Sequence, residues 1–130
     1  MTNFEKVKHH LLDLGFEITH EDTAESILII QNEGKGICNM MLDCEGDVLI
    51  VEQHIIDLKH QTESIYKRLL QMNRGMIHGA FVLDESGDKV LFRDTLALEN
   101  LDINEVDSTF SALTIALVEH EEELKANSKN

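Results

Sequence analysis

Proline is absent from the 130 residues, and no linker-like stretch or obvious internal repeat interrupts them. A boundary between domains ordinarily carries such features, so one continuous unit is expected, spanning 1–125 with a frayed tail at 126–130. Basic residues are scarce too: 11 Lys and Arg face 25 Asp and Glu, a formal charge of −14. A surface this negative repels phosphates and anionic headgroups, which argues against nucleic acid and membrane partners. The richest basic stretch, Lys6 to His10, reads as a solvated helix face. Long apolar runs are missing; Val48 to Val51 is far short of the roughly 20 residues that span a bilayer. The first residues hold no apolar h-region, and a cytoplasmic protein is expected.

Cysteine is nearly absent. Cys38 and Cys44 fall on one predicted strand, where six residues separate them by roughly 20 Å, too far for a disulfide. Strand parity places them on one face with Met40 and Leu42, as two buried reduced thiols.

What the chain does contain is apolar patterning. An apolar fraction of 42% is enough to offset the entropy of folding. Thr2 and Glu5 form a capping box, Phe4, Val7, Leu11 and Leu14 recur at helical spacing, and Gly15 supplies a stop, so a first helix covers Thr2 to Leu14. A short extended piece at Phe16 to Thr19 precedes a polar loop, His20 to Glu25. Three β-rich runs follow, Ser26 to Gln31, Gly36 to Cys44 and Asp47 to His54, joined by glycine turns into an antiparallel meander. Two of them are apolar on both parities, as strands covered on both faces are. Thr62 caps a second helix that ends at Asn73-Arg74-Gly75. Ile77 to Asp84 and Lys89 to Arg93 make a second hairpin with Phe81, Val90 and Phe92 as core. Asp102 and Glu105 begin a last helix, Ile103 to Lys125, whose near-heptad seam is expected to pack on the sheet rather than in a coiled coil. The order α-β-β-β-α-β-β-α implies an α+β fold, an antiparallel sheet with helices packed on it.

Catalytic signatures are lacking. No P-loop, dinucleotide fingerprint, nucleophile elbow or HExxH occurs, and Gly34, Gly36, Gly46 and Gly87 sit at hairpin tips rather than before helices. Seven histidines invite a metal site, but their spacings match no zinc pattern, and the acidic turns match no calcium loop. His78, on a predicted strand opposite Phe81, is the best candidate for acid–base work and has no partner in the sequence. No metal, no cofactor and no enzymatic activity are expected.

The residues Asn73-Arg-Gly-Met-Ile-His-Gly-Ala-Phe-Val-Leu-Asp84, then Gly87 to Arg93, then Leu96-Ala-Leu-Glu-Asn-Leu-Asp102 resemble the YbjN family. That pattern is similar in turn to class I type III secretion chaperones of the Tir-chaperone-like fold. The resemblance implies a small acidic α+β domain, often a homodimer, that binds a protein segment and carries no cofactor. Secretion chaperones hold an extended client against apolar sheet surface. The matching positions here are strand residues facing away from the core: Ala80, Val82 and Leu91, with Leu28 and Ile30. The chain's own helices are the alternative cover for them.

Together these readings give a protein-binding module, chaperone-like or a regulatory adaptor, acting by main-chain pairing or by burial of a partner segment. Two alternatives stand beside it: a small-molecule sensor or enzyme with a pocket near His78, and a self-associating structural unit using the last helix or the sheet face.

Overall fold

The computed structural model describes residues 1–130. Helix α1, Asn3–Asp13, begins at the expected box: the Thr2 hydroxyl accepts from the Glu5 N–H at 3.1 Å and the Glu5 carboxylate accepts from the Thr2 N–H at 3.3 Å. Two orphan donors of the first turn are thereby satisfied. Phe4, Val7 and Leu11 are its buried stripe.

Strands β1 (Glu17–Asp22), β2 (Ile27–Asn32), β3 (Ile37–Glu45) and β4 (Val48–Asp57) follow as an antiparallel meander. The extended piece expected at Phe16 to Thr19 is thus a full edge strand, and His20 to Asp22, read as loop from polarity, belongs to it. An edge strand with one solvated side carries polar residues without penalty, so composition hid it. Helix α2, Glu63–Arg74, capped by Thr62, leads to β5 (Ala80–Leu83) and β6 (Lys89–Ala97), and α3, Ile103–Ala126, closes the chain behind a second capping box made by Asp102 and Glu105. The six strands lie in the order β1-β2-β3-β4-β6-β5, all neighbours antiparallel. The α+β class is as expected.

All three helices pack on one face of this sheet. Phe4, Val7 and Leu11 of α1 and Val106, Phe110 and Leu113 of α3 share a core with Leu28, Ile30, Met40, Leu42, Leu49, Val51 and Phe92. Ile65, Leu69 and Met72 of α2 join Phe81, Val90, Ala116 and Leu124 in a second cluster. The seam of α3 packs on the sheet, as its pattern predicts.

Three expectations change. Cys38 is exposed and Cys44 half-buried, not both in the core. Ile30 pairs with Met40 while Asn32 pairs with Ile37, so β3 carries an extra residue, and Asn39 adopts a left-handed φ of 49°. The bulge shifts parity, burying Ile37 in place of Cys38. The buried Gln53 amide fixes it, accepting from the Cys38 N–H at 3.1 Å and donating to the Gly36 carbonyl at 3.0 Å. The second hairpin starts late, at Ala80: Gly79 takes φ +70° with the Phe92 ring so close that a Cβ would lie 2.5 Å from it, and Ile77 and His78 are exposed before it. The tail is held, not frayed. The Asn127 carbonyl accepts from the Lys59 N–H at 2.8 Å, and the Lys129 N–H donates to the Asp57 carbonyl at 2.8 Å.

Candidate protein-binding surface

With every helix on one side, the other side of the sheet is open. Side chains alternate along each strand, so the register fixes which residues share that face. His20, Ile29, Met41, Glu52, Arg93 and Ala80 form one row across it, Asp22, Ile27, Asp43, Ile50 and Thr95 a second, and His54, Leu91 and Val82 a third. Each of these residues is half-buried or exposed, and none is in the core.

Of the expected surface residues, Ala80, Val82 and Leu91 lie on this open face. Leu28 and Ile30 do not: at 1% and 0% exposure they are core residues under the helices. Strand β2 reads Ile27-Leu28-Ile29-Ile30, apolar on both parities, and only pairing decides which parity faces in. Its open-face members are Ile27 and Ile29; Ile29 is paired with Met41, and Ile50 stands one strand further on, diagonal to Met41. These four make an aliphatic patch at the centre of β2, β3 and β4.

The charges on this face differ in how they are satisfied. Glu52 and Arg93 are cross-strand partners joined by an ion pair. Asp57 accepts from Lys89 and from His54 Nε2, each at 2.9 Å, and those hydrogen bonds, the Lys89 one foremost, hold its carboxyl below the usual range. Asp43 is different. It sits between Ile27 and Ile50 on the neighbouring strands, its Oδ1 is buried without a donor, and burial, then the Glu45 charge and a hydrogen bond that the two carboxyls share when one is protonated, pushes its carboxyl up.

The two edges of the sheet are unlike. Strand β1 is lined by Glu17, Thr19 and Glu21, with Lys8 of α1 paired to Glu21 at 2.8 Å. Strand β5 is apolar, and a side chain from α2 closes its outer rim at Phe81.

The remaining candidates for chemistry are poorly placed. His78 is exposed, on the rim of an open hollow of about 230 Å³ shared with Asp102 and Glu105, and both carboxylates are committed to the cap of α3. The largest hollow, about 610 Å³, lies beyond the strand ends under the start of α1 and holds Lys8, Glu21 and Cys44. Burial, followed by the Asp43 charge, raises the Cys44 thiol, which keeps it protonated and a weak nucleophile. No three His, Cys, Asp or Glu side chains converge as a metal site would require. No helix is long and apolar enough to cross a membrane.

The family model CesT_Tir_1 matches residues 1–130. The fold is similar to that of YbjN from E. coli, with a TM-score of 0.70 and 14% identity over 92% of this chain and 91% of that one. It is similar to the Yersinia pestis type III secretion chaperone SycH, solved in complex with a fragment of YscM2, with a TM-score of 0.62 and 14% identity over 98% of this chain and 100% of that one. A chain of the ExsC–ExsE complex matches with a TM-score of 0.63 and 18% identity over 89% of this chain and 92% of that one. No curated protein sequence matches.

Proposed function

The chain belongs to the CesT_Tir_1 family, and from that premise we propose that it is a non-enzymatic, cytoplasmic, chaperone-like module that buries a partner protein segment on its open sheet face. One observation carries the reading: an aliphatic patch of Ile27, Ile29, Met41 and Ile50 stands on a sheet face that no helix covers. Isolated apolar residues are normal on a surface, but a contiguous set flanked by charge marks a place where another chain docks. SycH was solved with a protein fragment bound, and the HopA1–SchA structure, also similar in fold at a TM-score of 0.61, is a chaperone–effector complex. That company supports a protein partner.

The mode we favour is burial across the face, because the apolar β5 edge, the better candidate for added-strand pairing, is already occupied at Phe81. A homodimer accords with the same reading. Ile77 and Ile115, exposed to 80% and 51%, flank a largely apolar hollow on the helix side. A second copy docked there leaves the sheet face free.

The test is capture from the protein's own cell lysate, wild type beside the double variant Met41→Thr, Ile50→Thr, whose β-branched side chains keep strand propensity. A stoichiometric protein held by the wild type and lost by the folded variant supports the reading. Equal capture by both removes the sheet face from it.

A further inference from the structure

We propose that the partner segment of the open face is cationic as well as apolar, and that one of its lysine or arginine side chains pairs with Asp43. This rests on the reading of the open face as the docking surface and specifies the chemistry of what docks there.

Charge complementarity within a confined patch points to such a segment. Eight charged residues share the open face: Glu17, Asp22, Asp43, Glu45, Glu52 and Asp57 against Lys89 and Arg93. Both cations are already spoken for, Arg93 by Glu52 and Lys89 by Asp57. Of the carboxylates left over, Glu17 stands apart at the far end of β1, and the others gather at one end of the patch, where Asp22 shares a row with Asp43, and Asp43 and Glu45 stand two residues apart on β3. Asp43 is the one that penetrates the aliphatic ground, flanked across the strands by Ile27 and Ile50 and along its own strand by Met41.

A carboxylate there is costly unless something pairs with it. Its Oδ1 has lost water and gained no donor, a state that is destabilising in a finished protein surface. Burial and the neighbouring Glu45 raise its proton affinity in the free chain, and the charge of an arriving ammonium or guanidinium acts in the opposite direction. A second copy of this chain meets that requirement badly. Face-to-face docking would set acid against acid, with both cations of each face already paired. A neutral apolar segment would bury Asp43 further and leave it unpaired. A segment with a cation set among aliphatic side chains satisfies the patch and the carboxylate together.

The test uses a defined probe. A heptapeptide of alternating leucine and lysine, capped at both ends and fluorescently labelled, is titrated with the full chain at low micromolar concentration. The same peptide with its lysines acetylated is the neutral control. The expected result is a preference of about tenfold or more for the cationic peptide, the scale of one partly desolvated charge pair. Asp43→Asn abolishes the preference, Asp43→Glu retains it, and Glu99→Gln, which removes the same unit of charge from an exposed site off this face, leaves it unchanged. Equal affinity of Asp43→Asn and wild type for the cationic peptide overturns the inference. If the Met41→Thr, Ile50→Thr variant then loses binding, the docking face stands without its cation. If that variant also binds unchanged, the peptide is held by the general negative field, and both readings fall. No measurable preference in the wild type overturns the inference outright, while the face reading is judged separately by capture.

Discussion

The Asn73 side-chain amide is bonded twice to the backbone of Phe81, accepting from its N–H at 2.7 Å and donating to its carbonyl at 2.9 Å. A neighbouring strand would offer the same pair of groups. The helix end therefore supplies, from one side chain, the hydrogen bonds that the rim of β5 would otherwise present to another chain. This is why an apolar edge strand, Ala80-Phe81-Val82-Leu83, is tolerable at the border of the sheet.

Replacing Asn73 by Ala removes both bonds and leaves a donor and an acceptor of Phe81 unpaired. The expected cost is about 1–3 kcal/mol, read by urea denaturation. The freed rim is also expected to recruit strands, so Asn73→Ala should show concentration-dependent association by light scattering that wild type lacks at equal concentration. A variant that is destabilised yet no more associative would mean that the amide braces α2 and does not guard the edge.

Asp43 and Asp57 predict opposite pH behaviour. The folded chain holds the Asp43 proton more tightly than the unfolded one, so its contribution to stability falls as pH rises through its raised folded value, and the penalty is fully present at neutral pH. Asp43→Asn should then raise stability at pH 7 by roughly 0.5 kcal/mol or less, solvent screening keeping the gain small, and flatten that part of the pH profile. Asp57, lowered by its bonds from Lys89 and His54, contributes stability above its unfolded value that is lost as pH falls through its folded value. Asp57→Asn should remove that acid-side loss. A pH 7 stability unchanged or lowered by Asp43→Asn would count against an unpaired carboxylate.

Where local chemistry dominates, the fold was legible. Thr2 with Glu5, Thr62, and Asp102 with Glu105 start their helices where side-chain chemistry says they should. The resemblance carried by residues 73–102 led to the right fold. What was not legible depended on partners distant in sequence. Strand β1 exists because β2 pairs with it, and its polar residues give no sign of that. The inward parity of Leu28 and Ile30, against the outward parity of Ile27 and Ile29, is decided by register with β3. One bulge at Cys38 and Asn39, anchored by Gln53 fifteen residues away in sequence, reversed the expected burial of a thiol. Asp43 shows in the sequence only as part of an acidic turn, because nothing local reveals the isoleucines on either side of it.

Gly79 marks a close approach that Ala cannot make. Its φ of +70° is strained for any side chain, and an added Cβ would meet Phe92 Cζ at 2.5 Å and the Arg93 carbonyl at 3.1 Å. Phe92 is fully buried and has nowhere to retreat. Gly79→Ala is expected to cost about 1–3 kcal/mol. Gly46→Ala is a control, since its φ of +57° is left-handed too but nothing lies within 4 Å of the added carbon. Its cost should be smaller, and the difference between the two isolates the steric part.

The proposed helix-side dimer makes the last prediction. Ile115 projects from α3 at 51% exposure beside Ile77 at 80%, and both are on the opposite side of the molecule from the sheet face. A glutamate at that position adds charge where two apolar rims would meet, and because the site is exposed in one copy, the fold itself has little to lose. Ile115→Glu is therefore expected to convert a dimer to a monomer in sedimentation velocity while thermal unfolding, followed by circular dichroism at low concentration, stays close to wild type. Val82→Glu, on the sheet face, should leave the dimer intact and weaken partner capture. If Val82→Glu breaks the dimer and Ile115→Glu does not, the two surfaces exchange roles: the sheet face joins copies of the chain, and the partner segment must be sought on the helices.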